Sequence, residues 1–186
     1  MSDKEKVILA AVEELRARTL RFTMSDLARR LRMSKTSLYK IVDSKDQLIA
    51  EILTYRIDMF NREEKTILAG QQPILEKITL FIHHFLDLIQ AFDTSFYDDL
   101  QYFYESEWKR WLAFRQEKIN VFMQLMQEGV NAGVLRPVNH VIVYQCLSTT
   151  MASLAAPDFL RENDLTYAQA IDSLQDIVLH GLLVPS

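Results

Sequence analysis

The sequence predicts an all-α protein of about nine helices, and three observations support this fold class. The chain of 186 residues contains only 4 glycines and 4 prolines, so breaks in regular structure are few. Apolar residues recur at helical spacing in most segments, and the alternating pattern typical of strands is missing. We expect an N-terminal three-helix domain over residues 1–46, called the head below, and a larger helical domain over residues 47–186.

The first helix is predicted to end near Arg18. Ser2, followed three residues later by Glu5, has the pattern of a capping box, in which each residue satisfies a free amide of the other. The apolar residues that follow share one helical face, as in an amphipathic helix that packs on a core. These residues are Val7, Ile8, Ala11, Val12 and Leu15.

Three further start signals divide the next part of the chain into short segments. Thr23 with Asp26 is an acidic capping box, Ser34 is a candidate N-cap, and Ser44 with Gln47 is a full box. Each signal marks the start of a new helix. The predicted helices cover about 25–31, 35–42 and 45–67.

The remaining helices follow from apolar spacing and from glycine and proline positions. An apolar face begins at Ile74, and a break near Asp93 separates it from a long helix that should stop at Gly133. The final helix opens with the capping box of Thr166 and Gln169. These helices are predicted at about 106–131, 138–155 and 167–182.

The segment between Arg136 and Asp158 carries no charged residue, which raises the question of a membrane span. Its polar residues are too numerous for a lipid-facing helix, and Pro137 and Pro157 bound it, so we interpret it as a buried or interfacial helix. We expect no membrane association. The single Cys146 excludes an internal disulfide framework and fits a reducing cytoplasm.

Charge is distributed unevenly along the chain. Residues 1–45 contain 11 Lys and Arg against 6 Asp and Glu, a net charge of +5. The rest of the chain contains 10 Lys and Arg against 19 Asp and Glu, a net charge of −9. A basic head attached to an acidic body predicts that only the head contacts a polyanion.

The run from Thr23 to Leu48 has the spacing of a helix-turn-helix, in which two short helices are joined by a turn of about three residues. Apolar residues such as Leu27 and Leu38 would lock the pair together. The second helix then presents an outward face of short polar and basic side chains, which suits the major groove of DNA. That face comprises Lys35, Thr36, Ser37, Tyr39 and Lys40.

This run resembles the signature of the tetracycline-repressor (TetR) family of bacterial regulators. The matching positions are Thr23, Asp26-Leu27-Ala28, Ser34, Leu38-Tyr39 and Lys45. Specific motifs cover roughly residues 5–55; the rest matches as a helical layout, with a family-like turn at 129–137. The resemblance implies that Thr23, Tyr39 and Lys45 contact phosphates or sugars, and that Lys35, Thr36, Ser37 and Lys40 lie nearest the base edges. Independently of the resemblance, the helix N-terminus at Ser34 is expected to direct its free amides at a phosphate.

The chain departs from the family pattern at two places where a glycine is usual. Arg32 occupies the turn of the helix-turn-helix, and Thr19-Leu20-Arg21 replaces a glycine-containing link between the first two helices. A left-handed backbone at Arg32 would be energetically costly. The resemblance therefore does not specify which bases the head reads.

We expect the chain to bind a palindromic operator as a homodimer, because one helix-turn-helix contacts too few base pairs for high affinity. The helices at 138–155 and 167–182 contain more apolar and small residues than a surface helix needs. In the TetR family the last two helices form a four-helix bundle across the two-fold axis, and this layout resembles it. The alternative is that both helices belong to the core of a monomer.

The segment from Phe81 to Met126 is rich in aromatic residues and methionine, which commonly line apolar pockets. Core packing explains the same residues. The family resemblance implies a small effector between these helices, and an apolar or aromatic compound fits best. The candidate effector contacts are Phe85, Tyr102, Trp111, Phe122 and Met126.

Catalytic, metal and cofactor sites are not predicted. His83 and His84 point in different directions on a helix and cannot share a metal, and Cys146 is interpreted as an inert core thiol. We therefore expect a transcription regulator that acts as a repressor, rather than an enzyme. Two alternatives remain, a helical protein-interaction module without operator binding and a small all-α enzyme that uses the aromatic segment.

Overall fold

A computed structural model of the chain describes residues 1–90, 94–154 and 157–182. Within these ranges the chain forms ten α-helices and a 3₁₀ turn, and no strand, which confirms the predicted all-α class. The 3₁₀ turn covers Thr19–Arg21. The helices are α1 (Asp3–Arg18), α2 (Met24–Arg30), α3 (Lys35–Leu38), α4 (Lys45–Ala69), α5 (Ile74–Gln90), α6 (Thr94–Phe103), α7 (Glu105–Asn131), α8 (His140–Leu154), α9 (Pro157–Glu162) and α10 (Tyr167–Leu182).

Two compact units make up the described chain. The first comprises Met1–Met59 together with the described part of Ala91–Trp111, so it holds the head, the beginning of α4, and α6. Its core is apolar, with fully buried side chains from α1, α2, α3 and α4 that are spaced for one inward face of each helix. They include Val7, Ala11, Leu27, Leu38 and Ile49. The functional boundary that we place between residues 46 and 47 remains a prediction.

The second unit comprises Phe60–Gln90 and the described part of Leu112–Ser186. Its core contains an aromatic cluster around Phe60. The ring of Phe60 meets those of Phe81, Phe85 and Phe114 edge to face, with centroids 6.3, 5.9 and 5.4 Å apart. This arrangement places the positive edge of one ring against the negative face of another.

Local sequence signals fix most helix ends as predicted. The capping boxes of Ser2 with Glu5, Thr23 with Asp26, and Thr166 with Gln169 are all formed. At the end of α7, Gly133 has a φ of +73°. Its amide donates to the Val130 carbonyl, and the following amide donates to that of Gly129, which is a Schellman motif.

The helix boundaries differ from the prediction in two respects. Helix α3 ends at Leu38 rather than near residue 42, because the next amide bonds reach back three residues and tighten the backbone, as from Ile41 to Leu38. Helices α6 and α9 are additional; α9 starts at Pro157, a favourable first helical residue. The predicted break near Asp93 lies outside the described residues.

Candidate nucleic-acid interface and effector cavity

Helices α2 and α3 form a helix-turn-helix around a small apolar centre. Leu27, Leu38 and Val42 are completely buried, and Ala28 is 4% exposed. The small side chain of Ala28 permits α2 and α3 to approach closely. The packing therefore leaves the opposite side of α3 free to face solvent.

The turn between the two helices has a left-handed residue. Arg32 has a φ of +53°. Its amide donates to the Arg29 carbonyl at 3.1 Å, and the Met33 amide donates to the Ala28 carbonyl at 3.0 Å. These are the bonds of a Schellman motif, in which glycine usually holds the left-handed position. Arg32 thus adopts the left-handed conformation that we expected to be costly, at roughly 1–2 kcal/mol relative to glycine.

A second left-handed residue occupies the other place where the chain departs from the family pattern. Thr19, at the end of α1, has φ +54° and ψ −154°, a region that glycine normally occupies. Its hydroxyl lies 3.5 Å from Oδ2 of Asp99 on α6. The link between α1 and α2 therefore packs against α6 through a strained residue.

The five residues that we predicted on the outward face of α3 are all exposed. Lys35, Thr36 and Ser37 lie on α3, and Tyr39 and Lys40 directly follow its last residue; the five together are called the α3 face below. Tyr39 is 45% exposed although it is a large aromatic residue. An exposed patch of hydroxyl, ammonium and phenol groups can donate hydrogen bonds both to base edges and to phosphates.

The serine and threonine caps of the head are engaged in local hydrogen bonds. The Ser34 hydroxyl accepts from the Ser37 amide at 3.0 Å and lies 2.9 Å from the Ser37 hydroxyl. The Thr23 hydroxyl donates to the Asp26 carboxylate at 2.7 Å. Both caps are exposed. The Ser34 hydroxyl can donate to a ligand oxygen when the Ser37 hydroxyl donates to it, whereas the Thr23 hydroxyl can do so only by turning its proton away from Asp26.

Two acidic residues neutralise part of the basic head. The carboxylate of Glu14 is only 5% exposed and lies 2.5 Å from Nε of Arg30 and 3.6 Å from Nε of Arg18. Asp26 lies 3.0 Å from the guanidinium of Arg18 and 3.7 Å from that of Arg29. Arg18 and Arg30 therefore connect α1 to α2, whereas Arg29 pairs within α2.

Lys45 is bound inside the head, although we predicted it as a phosphate contact. Its ammonium donates a hydrogen bond to the Leu20 carbonyl and lies 4.8 Å above the centre of the Phe22 ring. Burial lowers the pKa of Lys45, and the nearby carboxylates of Asp46 and Asp99 raise it in part. The ammonium thus already has a carbonyl and an aromatic partner.

The second unit contains an apolar cavity of about 80 Å³ between α5, α7, α8 and α10. Phe85 and Phe122, two of the five predicted effector contacts, line it. Side chains from all four helices complete the wall. They include Phe81, Ile119, Met151, Leu174 and Val178.

The other three predicted effector contacts do not line this cavity. Tyr102 is 82% exposed. Trp111 is buried within the first unit, where its ring lies 5.5 Å from that of Tyr97. Met126 on α7 is 1% exposed and belongs to the core of the second unit. These residues were predicted from an aromatic-rich stretch of sequence. Which side chains line one cavity depends instead on which helices pack against each other.

A buried ion pair lies beside the cavity, and sequence reasoning did not find it. Nζ of Lys118, which is 1% exposed, lies 2.7 Å from Oε2 of Glu64 and 2.9 Å from Oε1 of Glu117. It also lies 5.4 Å and 5.1 Å from the ring centres of Phe60 and Phe114. The Lys118 side chain is part of the cavity wall, but its ammonium lies against the carboxylates of Glu64 and Glu117, so the wall remains apolar.

Large apolar side chains are exposed on the two helices that we expect to form a dimer interface. Val141 and Ile142 on α8 are 74% and 60% exposed, and Ile177 on α10 is 68% exposed. Cys146 on α8 is also exposed, so the interpretation as a core thiol is wrong. The apolar run of α8 therefore has an exposed face, with Val141 and Ile142, and a buried face, with Met151 and Leu154.

The described residues contain no cluster of three or more His, Cys, Asp or Glu side chains placed to hold a metal. Among the same residues, none of the helices is both long enough and apolar enough to span a membrane.

Comparison with known proteins links the chain to transcription regulators. No family model matches the sequence. The chain is 23% identical over 180 residues to the uncharacterised HTH-type transcriptional regulator YvaF of Bacillus subtilis (strain 168). The alignment covers 96% of this chain and 95% of YvaF.

Solved structures share the fold over nearly the whole chain. A TetR-family regulator from Marinobacter aquaeolei VT8 superposes with a TM-score of 0.78 at 19% identity, covering 100% of this chain and 93% of that one. A regulator from Saccharomonospora viridis, solved in complex with choline, has a TM-score of 0.78 at 12% identity, with 98% of each chain covered.

Proposed function

We propose, from the fold that this chain shares with TetR-family transcriptional regulators, that it is a DNA-binding regulator which binds a palindromic operator as a homodimer. In this proposal it acts in the cytoplasm as a repressor that a small effector releases. The observation that carries the proposal is the exposed polar and basic face of α3, which a buried apolar frame holds in a fixed orientation.

The proposed DNA surface divides into positioning and reading residues. Thr23, Ser34 and Tyr39 would position the head on phosphates and sugars, whereas Lys35, Thr36, Ser37 and Lys40 would meet base edges. The lysines can donate to guanine acceptors, and the Thr36 methyl can pack on thymine. The exposure of the α3 face supports this assignment.

Dimerisation is proposed through α8 and α10. Exposed apolar side chains at Val141, Ile142 and Ile177 would lose their contact with water in such an interface. Two heads related by a two-fold axis would then read two half-sites one helical turn apart, or a multiple of it.

The proposed effector is small and apolar or aromatic. The cavity wall contains phenylalanine and aliphatic side chains and turns no charge inward. Its volume of about 80 Å³ is below the roughly 300–1,000 Å³ that ligand pockets commonly have. An effector must therefore be small or must displace side chains such as Phe85, and the latter would shift the populations of two conformations.

Selection of bound sequences from random duplex DNA tests the proposal. We expect an enriched motif with inverted symmetry, and we expect Lys35→Gln and Thr36→Val to change the enriched bases without abolishing folding. An asymmetric motif would contradict the dimer, and the absence of any enriched motif would contradict operator binding. A protein-interaction module would give the second result.

The effector is tested separately by thermal denaturation with a panel of small aromatic and aliphatic compounds. A compound that binds the native state raises the melting temperature. Ile119→Phe, which fills the cavity, should abolish the rise. An unchanged rise in that variant would place the ligand elsewhere.

A further inference from the structure

The head contains more positive charge than its own carboxylates neutralise. Arg18, Arg29 and Arg30 pair with Glu14 or Asp26. Among the described residues of the head, four exposed cations have neither an acidic partner nor a side-chain hydrogen bond. These are Arg21, Arg32, Lys35 and Lys40. Two of them belong to the α3 face already discussed, so Arg21 and Arg32 remain without an assigned role.

We infer that Arg32 is a phosphate anchor of the head, and that Lys45 is an internal clamp rather than a phosphate contact. This inference rests on the proposed function, because it concerns how the head holds duplex DNA. It assigns the predicted anchoring role of Lys45 to a residue in the turn.

The position of Arg32 supports the inference. It lies two residues before Ser34, the N-cap of α3, so its side chain starts beside the proposed reading helix. The Schellman bonds of Arg32 and Met33 to α2 fix its backbone. Because its backbone is fixed and its guanidinium is planar, the Arg32 side chain can bind a nearby phosphate with a small loss of side-chain entropy.

The backbone of Arg32 is adapted to a different residue. At a φ of +53°, glycine or asparagine would fit with less strain. Within the described residues the Arg32 side chain makes no hydrogen bond or ion pair that would compensate for this strain. A partner outside the chain would compensate for it, and the fork of a guanidinium matches two oxygens of a phosphate.

Lys45 is less available for this task. To bind a phosphate, its ammonium would have to leave both the Leu20 carbonyl and the face of Phe22. These contacts connect the start of α4 to the 3₁₀ turn and to the residue after it. Loss of Lys45 should therefore weaken the head itself.

The test compares Arg32→Gly with wild type by fluorescence anisotropy on a labelled duplex of about three helical turns, titrated between about 50 and 200 mM KCl. Glycine removes the charge and also relieves the left-handed strain. We expect the affinity at 0.1 M salt to fall about eightfold for each head, and the negative slope of log K against log salt to become less steep by about 0.9 for each head. The melting temperature should rise.

Arg16→Gln is the matched control. Arg16 is exposed on α1 and already pairs with Glu13 at 2.9 Å, so this variant removes one positive charge of the head without removing an unpaired one. We expect its salt slope to equal that of wild type.

Lys45→Met tests the internal clamp. This variant should melt at a lower temperature than wild type and keep the wild-type salt slope. A Lys45→Met protein that does not fold also supports the clamp.

Several results would overturn the inference. One is an Arg32→Gly protein with the wild-type salt slope, and another is a Lys45→Met protein with full stability and a reduced slope. A change of base preference in Arg32→Gly, without a uniform loss, would assign Arg32 to base reading instead. If wild type itself ignores every duplex, the proposed function fails with the inference, so the two failures are distinguishable.

Discussion

The ammonium of Lys118 lies 2.7 Å from the carboxylate of Glu64 although the two residues are 54 positions apart in the chain. Both side chains are buried, and Oε1 of Glu64 has no hydrogen-bond partner. Because a buried charge that loses its partner is strongly destabilising, the second unit depends on this pair remaining intact.

Lys118→Met should lower the free energy of unfolding by about 3–5 kcal/mol, because it leaves the Glu64 carboxylate buried and unpaired. Urea denaturation measures this change. The double variant Lys118→Met with Glu64→Leu should recover most of the loss, since it removes both charges and leaves apolar side chains of similar volume. A double variant as unstable as the single one would show that packing, rather than charge, explains the loss.

Phe122→Ala should enlarge the cavity. Loss of the ring should lower the free energy of unfolding by about 3–5 kcal/mol. The larger apolar space should bind benzene. Benzene should therefore raise the melting temperature of this variant. Leu80→Ala, a change at an exposed position on α5, is the control and should show no benzene effect. Equal effects of benzene on both variants would contradict the assigned cavity wall.

Ile142→Asp with Ile177→Asp should dissociate the proposed dimer. Both side chains are exposed, so the substitutions should leave the monomer folded, while the interface would have to bury negative carboxylates that have no partner. Sedimentation velocity measures the change in mass, and Leu80→Asp is the control on α5. Wild type that sediments as a monomer at all concentrations, or a variant that still dimerises, would contradict the interface.

Cys146 gives an independent measurement of the same interface. Its thiol is exposed on α8 and should react more slowly with a thiol reagent at concentrations where the dimer forms. A rate that is independent of protein concentration would place Cys146 outside any interface.

The capping box of α2 predicts a dependence of stability on pH. The hydrogen bonds from Thr23 lower the pKa of Asp26 below its ordinary value of 3.8. A carboxyl whose pKa is lower in the folded state stabilises the protein above its unfolded pKa, and that contribution is lost as the pH falls through the folded value.

Asp26→Asn cannot titrate, so its stability should fall less than that of wild type below about pH 4. Urea denaturation at a series of pH values measures the difference. Asp3 and Glu105, whose pKa values are also lowered, are present in both proteins and cancel. Identical pH profiles would contradict the role of Asp26.

Local features of the fold were predictable, because they depend on residues a few positions apart. The boxes at Ser2 and Thr23 and the stop at Gly133 follow from side chains that bond their own neighbours in the chain. The outward face of α3 was predictable for a related reason, since Leu38 and Val42 identify the inward side of that short helix.

Features that depend on distant contacts were not predictable from spacing. Lys118 lies in an otherwise amphipathic helix, and nothing in its neighbourhood indicates that Glu64 is its partner. Tyr102 belongs to an aromatic segment, yet it is exposed. The internal bond of Lys45 to Leu20 also spans 25 positions, so a motif that predicts a phosphate contact does not reveal it.

Duplex binding by wild type and by the double variant Lys35→Gln with Lys40→Gln tests the central claim most directly, with fluorescence anisotropy as the readout. Both lysines are exposed and unpaired on the α3 side of the head, so the variant should melt at the wild-type temperature. We expect wild type to bind with a steep dependence on salt and the variant to lose most of that affinity. Equal binding by the two proteins, or none by wild type in dilute buffer, would contradict the account.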